Sequence, residues 1–210
     1  MGIINRFKIR TRLFIAMAVA LVAIVVITAY SFNTTNKVGD TINTINSHPL
    51  IVSNAAADSQ HLVLDILKTY QDAFIEKDIT KRKIFEKKII DYEKNLDSNM
   101  ETIQQLILGD EGQKLAKETS SNIAKWRVNN YNLMDKIFDL NNREIARAYM
   151  STTELEEVEG IQIQLNAIQT YAKNKAESLE VQAIDIQKKA KVTTIDMCFV
   201  AIFILLVLCL

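Results

Sequence analysis

Eleven positions starting at Val38 keep an unbroken four-three spacing: Val38, Ile42, Ile45, Pro49, Val52, Ala56, Ser59, Val63, Ile66, Tyr70 and Ala73. Mostly apolar residues at this period form one face of a helix that buries its seam against other helices. The run passes straight through Pro49, the only proline in the chain. Proline inside a helix removes a backbone donor and clashes with the preceding turn. The stretch Ile45 to Asn54 taken alone reads as a boundary capped by Asn46 or Ser47. The continuous phase instead predicts a kink, or two coaxial segments in one phase, within a single tall helix. Leu50, Ala57, Leu64 and Leu67 add a flanking stripe, so the apolar face is wide enough for a bundle and also for a partner subunit.

Three further helices follow. The apolar spacing stops near Glu76 to Thr80, where Asp78 or Thr80 can cap the next helix. That helix shows Phe85, Ile89, Tyr92, Leu96, Met100, Ile103 and Leu106 or Ile107, and ends at Gly109-Asp110-Glu111-Gly112, the clearest turn signal in the chain. A third helix carries Leu115, Ile123, Trp126, Asn130, Leu133, Ile137 and Leu140. Asn141-Asn142 reads as the next turn, and Ser151 followed by Glu154 offers a capping box for the last helix. The last helix carries Leu155, Val158, Ile161, Leu165, Ile168, Ala172, Ala176, Leu179, Ala183, Ile186 and Ala190. With 5 glycines and 1 proline there are few turn-formers, hence few and long elements. At 1.5 Å per residue the outer helices 33–76 and 153–191 would stand about 65 and 58 Å tall, and the middle two about 42 Å. No segment alternates as a strand does. The expected fold is all-α: an up-down-up-down four-helix bundle whose first and last helices continue into membrane spans.

Leu13 to Phe32 contains no charged residue, and twenty apolar residues in helix match a hydrocarbon core of roughly 30 Å. A cleavable leader would end near Ile27-Thr28-Ala29, but the run is longer than a usual leader core, so an uncleaved anchor is the better reading. Arg6, Lys8, Arg10 and Arg12 precede it without an acidic residue, which points the N-terminus into the cytoplasm. A second apolar run, Met197 to Leu210, approaches a full span once Val192 to Ile195 are added, with Asp196 near the outer interface. The expected division is a basic tail 1–12, a span 13–32, an extracytoplasmic region 33–191 and a second span 192–210. The basic residues that usually follow a finished span are missing after it. We therefore expect a truncated second span, in the N-terminal part of a longer protein or in a degenerate remnant of one, the missing part being cytoplasmic.

The overall balance of 25 basic and 25 acidic residues says little, but the basic tail leaves the rest acidic. That argues against nucleic acid as a partner. The two cysteines, Cys198 and Cys209, lie in the second apolar run, so neither a disulfide framework nor a cysteine-based zinc site is expected between the spans. His48 and His61 are too far apart in helix to share a metal. No glycine-rich phosphate loop, HExxH or GxSxG occurs, and no catalytic residue, metal or cofactor is expected.

"FKIRTRLFIA" at 7–16, "INSHPLIVSNA" at 45–55 and Trp126 followed by "DLNNREIARAYM" at 139–150 resemble the N-terminal part of methyl-accepting chemotaxis receptors with a four-helix-bundle sensor domain. The resemblance covers essentially the whole chain, with the architecture more telling than any one motif. The same module also precedes histidine kinases and diguanylate cyclases. The resemblance implies a homodimer in the cell membrane, sensing of a small ligand or a ligand-binding protein outside, and signalling by small helix shifts to cytoplasmic partners through a C-terminal part beyond Leu210. Amino-acid-sensing members hold a ligand carboxylate with arginines on the first outer helix. Here no arginine lies between Arg12 and Arg82, which puts that mode in doubt.

Candidate ligand residues are few. His61 and Lys68, seven apart, share a helix face and could hold an anion; a solvated polar face is the simpler reading. Trp126-Arg127 could form a ligand-stacking pair, although core packing explains Trp126 better. Asn130 at a core position could fix register. His48 before Pro49 could report pH, or only sit at a kink. "KRKIFEKK" at 81–88 reads best as a solvated helix start. Two function classes remain: the sensing and signalling region of a chemoreceptor-type transducer (or of a kinase or cyclase), and a ligand-free membrane-anchored helical scaffold.

Overall fold

A computed structural model describes the backbone of residues 9–138 and 153–209. Five helices account for nearly all of it: α1 (Ile9–Ser47), α2 (Pro49–Ile75), α3 (Ile79–Leu106), α4 (Asp110–Phe138) and α5 (Thr153–Cys209). The described residues contain no strand. The expected turn at Asn141-Asn142, and Ser151 of the expected capping box, fall outside them.

The chain divides into two compact units, Ile45–Glu177 and Met1–Thr44 with Ser178–Leu210. The first is a four-helix bundle of α2, α3, α4 and the N-terminal half of α5. Its core joins residues of all four: Val52, Val63 and Ile66 of α2, Ile89, Leu96 and Ile103 of α3, Ile123 and Trp126 of α4, Ile161, Leu165 and Ile168 of α5. Cross-helix hydrogen bonds run round the bundle. Gln104 Nε2 donates to Ser120 Oγ (2.6 Å), Asn129 Nδ2 to Glu157 Oε1 (2.7 Å), and Gln162 Nε2 to the Gln60 carbonyl (2.7 Å).

The four-three spacing in α2 turns inward as the sequence predicts. Val52, Ala56, Ser59, Val63, Ile66 and Tyr70 are fully buried, and Ala73 is nearly so. Ser59 tolerates this because its hydroxyl donates to the Ala55 carbonyl at 2.7 Å. Upstream of Pro49 the same phase is not covered: Ile42 is exposed and Val38 half-exposed. Of the flanking stripe, Leu67 is buried while Leu50 and Leu64 stay 49% and 48% exposed.

Helix ends follow local chemistry. His48 alone separates α1 from α2, and Pro49 takes the first helical position, where a missing N–H costs nothing. Asp78, not Thr80, caps α3: its Oδ1 accepts from the Thr80 backbone N–H at 2.8 Å. Between α3 and α4, Gly109 has φ +83°, a left-handed conformation that glycine adopts at no steric cost. Tyr171 of α5 closes over this turn and donates from its hydroxyl to the Leu108 carbonyl at 2.8 Å.

Two seams differ from the sequence reading. In α4 the inward positions are Ala116, Thr119, Ile123, Trp126 and Asn130, whereas Leu115 is half-buried. Small and polar residues carry the seam there, so hydrophobicity alone misses it. In α5 the phase of Val158, Ile161, Leu165 and Ile168 extends back to Glu154, which is fully buried, while Leu155 is 46% exposed. Both Glu154 oxygens lack a hydrogen-bond partner.

In the second unit, described by itself, α1 and the C-terminal part of α5 lie together. Thr34, Thr35, Thr41 and Thr44 of α1 each donate to the carbonyl four residues back, at 2.9 to 3.0 Å, so each hydroxyl is satisfied within the helix. An 18-residue stretch of α1 near the N-terminus is apolar enough to cross a membrane, and only 6% of it is buried. A second such stretch lies in α5, with none of it buried. A core helix would be covered; these two are not.

Candidate functional site

The polar chemistry of the bundle concentrates at one level, where α2 contributes Tyr70, α3 contributes Glu93 and Asp97, α4 contributes Trp126, Arg127, Asn130 and Tyr131, and α5 contributes Glu154. Arg127 grips Asp97 with two hydrogen bonds, Nη2 to Oδ1 at 2.7 Å and Nη1 to Oδ2 at 3.1 Å. Its Nε also lies 3.5 Å from Glu93 Oε1. Tyr131 completes the group by donating to Glu93 Oε2 at 3.0 Å. A planar guanidinium between two carboxylates uses its fork on both.

The electrostatics follow from burial. Burial pushes the Glu93 carboxyl above its ordinary range, while the Tyr131 hydrogen bond and the Arg127 charge pull it back. Burial works against the charge of Arg127, but the Asp97 and Glu93 carboxylates more than hold it. Tyr131 is raised by burial and then by Glu93. Tyr70 is raised strongly, first by burial and then by the negative charge of Glu93. Glu154 is pushed up to about 7, by burial first and by Glu157 second.

The candidates from sequence separate. His61 and Lys68 are both exposed on α2 and make no hydrogen bond or ion pair among the described residues. Arg127 sits on α4, already engaged by Asp97 and Glu93. A ligand anion at Arg127 would compete with a bidentate carboxylate. Trp126 and Arg127 do not form a pair facing one ligand: Trp126 is core at 2% exposure, and Arg127 reaches toward α3. Pro49 is buried at the start of α2. His48 leaves its Nδ1 buried and without a partner. A shallow groove of about 220 Å³ between α4 and α5 is lined by Asn122, Lys125, Trp126, Glu157, Gly160 and Gln164, among others.

Asn130 stands out at this level, as its core position in the sequence suggests. It is 1% exposed, and neither amide atom has a partner. Sequence reasoning missed Glu154 as an inward residue. The signal was present: stepping back four from Val158 along the α5 seam lands on Glu154, but a charged residue beside Leu155 reads as the outer face.

A family model described as a four-helix-bundle sensory module for signal transduction matches residues 6–186. The chain belongs to this family. No curated protein and no solved structure gives a significant match. The matched span takes in the whole of the bundle unit and the whole of α1, so family membership covers both the sensory module and the first apolar helix. The module is thus a signal-transduction element with two helices apolar enough to anchor it in a membrane.

Proposed function

We propose that the chain is the extracytoplasmic ligand-sensing and transmembrane signalling region of a bacterial chemoreceptor-type transducer, working as a homodimer. The observation that carries this reading is a sensory bundle whose last helix, α5, is one uninterrupted helix from Thr153 to an apolar end that nothing covers. A continuous helix shared by both carries a displacement along its own axis. The basic residues before the first apolar stretch support a cytoplasmic N-terminus, with the bundle outside. The homodimer is supported by exposed apolar Leu50 and Leu64 at heptad-related positions of α2. Ligand binding would favour one of two packings and so shift α5.

The test uses cysteine pairs placed on α1 and α5 along the groove lined by Thr34, Val38, Gln187 and Lys191, after Cys198 and Cys209 are replaced by serine. Crosslinking rates are measured in membranes with and without panels of amino acids, organic acids and sugars. Rates that change at some pairs support the reading. Rates unchanged at every pair with every panel favour the membrane-anchored scaffold instead. Fusion of the same 210 residues to a kinase or cyclase reporter separates a general sensor from a chemoreceptor-specific one.

A further inference from the structure

Glu154 sits in the first turn of α5 with no exposed surface and no hydrogen-bond partner on either carboxyl oxygen. Two more buried polar groups are unsatisfied, one on α2 and one on α4, the latter next to Asn129, which bonds Glu157 one turn along α5. Tyr70 is fully buried and its hydroxyl has no partner. Asn130 is 1% exposed, with both its amide oxygen and nitrogen unpaired. Tyr70 feels the charges of Glu154, Glu93 and Arg127 together, which places these groups at one level of the bundle. Buried polar groups in native proteins are almost always paired, so such a cluster requires an account.

A neutral carboxylic acid can supply one. It carries a hydroxyl donor and a carbonyl acceptor, which match the Asn130 amide and the Tyr70 hydroxyl after side-chain rotation. An ionised Glu154 accepts from the Asn130 N–H and the Tyr70 hydroxyl but has no proton to give the Asn130 oxygen, and it leaves a charge in the core. A buried charge needs a counter-ion. Among the described residues the cation at this level is Arg127, already held by Asp97 and Glu93, and the one charge acting on Glu154 is the like charge of Glu157. Among the described residues, the titratable groups around the site are Tyr70 from α2, Glu93 and Asp97 from α3, Arg127 and Tyr131 from α4, and Glu157 from α5 itself.

We infer that Glu154, with Asn130 and Tyr70, forms a proton-binding site in the bundle, and that proton occupancy selects between two packings of the first turns of α5. With a proton from bulk water, the neutral acid stays in the seam. Without it, the carboxylate draws in water or swings the start of α5 outward. The ligand class is therefore the hydronium ion of the surrounding medium, and the device is a pH sensor additional to any small-molecule site. It rests on the bundle alone, so its failure leaves the proposed sensing function standing, and the reverse also holds.

The direction of the pH dependence is fixed. Folding raises the Glu154 pKa from 4.5 to about 7. Below 4.5 the folded and unfolded chains both hold the proton, and the group has no effect. Between 4.5 and about 7 the unfolded chain ionises while the folded chain does not, so stability falls as pH rises; above that the loss is complete.

Trp126 is the only tryptophan, is 2% exposed and belongs to the same level, so its fluorescence reports the site directly. The chain is titrated in phosphatidylcholine vesicles, and Trp126 emission and thermal unfolding are followed. Wild type is expected to show a reversible emission change centred near pH 7, with the thermal midpoint falling over the window below it. Glu154→Gln abolishes both changes. Glu157→Gln keeps the Asn129 bond to its side-chain oxygen yet removes the repulsion, so it moves the midpoint down. Glu93→Gln leaves the midpoint in place. A flat wild-type titration overturns the inference, as does a Glu154→Gln chain that titrates like wild type. Should Glu154→Gln not fold, an unmoved midpoint in Glu157→Gln, or one abolished by Glu93→Gln, overturns it equally.

Discussion

Two side-chain arrangements decide what single substitutions should do. Gly109 holds φ +83°, and a Cβ there would lie 2.9 Å from the Tyr171 hydroxyl. Gly109→Ala should therefore cost about 1–2 kcal/mol for the left-handed backbone alone. Tyr171→Phe should cost about 1 kcal/mol for the lost bond to Leu108. Denaturant unfolding of the detergent-solubilised chain measures both, and the two losses should not add, because they share one contact. At the second arrangement, Arg127→Met strands Glu93, whose side chain is 8% exposed. Breaking a fully buried pair costs about 3–5 kcal/mol; Arg127 keeps 23% of its surface in water, so about 2 kcal/mol is the expectation. Adding Glu93→Gln should recover part of it, and a double-mutant cycle with no recovery would show that Arg127 acts through Asp97 alone.

At the level of helices, the periodicity carried most of the information. The α2 seam from Pro49 to Ala73 is buried position for position, because strongly apolar residues and tight four-three spacing leave one inward phase. The α4 and α5 seams were less legible because Ala116, Thr119 and Glu154 interrupt the hydrophobic signal while keeping the spacing. The polar level around Arg127 was not readable at all. Its partners Asp97 and Glu93 lie 30 and 34 residues away in sequence, and no local pattern pairs helices across such a separation. The break at His48 also has a measurable consequence. Pro49→Ala restores an N–H where α1 and α2 adjoin, so the two should fuse into one continuous helix. Spin labels at the exposed positions Asp40 and Asp58 should then give a narrower distance distribution. An unchanged distribution would mean that His48, and not the proline ring, holds the break.

For the molecule as a whole, uncovered apolar surface is the largest fact. α1 and α5 each present a stretch that needs lipid or protein around it, and α2 shows Leu50 and Leu64 to solvent. If the latter stripe is a subunit interface, Leu50→Lys with Leu64→Lys should lower the dimer fraction in mild detergent at least several-fold, read by sedimentation, with little effect on unfolding. An unaffected dimer fraction would move the interface to another helix. Composition and spacing foretold the apolar ends and the bundle; they could not foretell which exposed leucines remain uncovered, since that depends on how four helices share their faces. The Tyr171 bond to Leu108 has a mechanical consequence. It ties the α3–α4 corner to α5 partway along that helix. A pull along the axis of α5 would load this rivet, and the Gln162 bond to the Gln60 carbonyl of α2, before it loads the turn at Asp78, so under force the bundle should travel with α5 as one body.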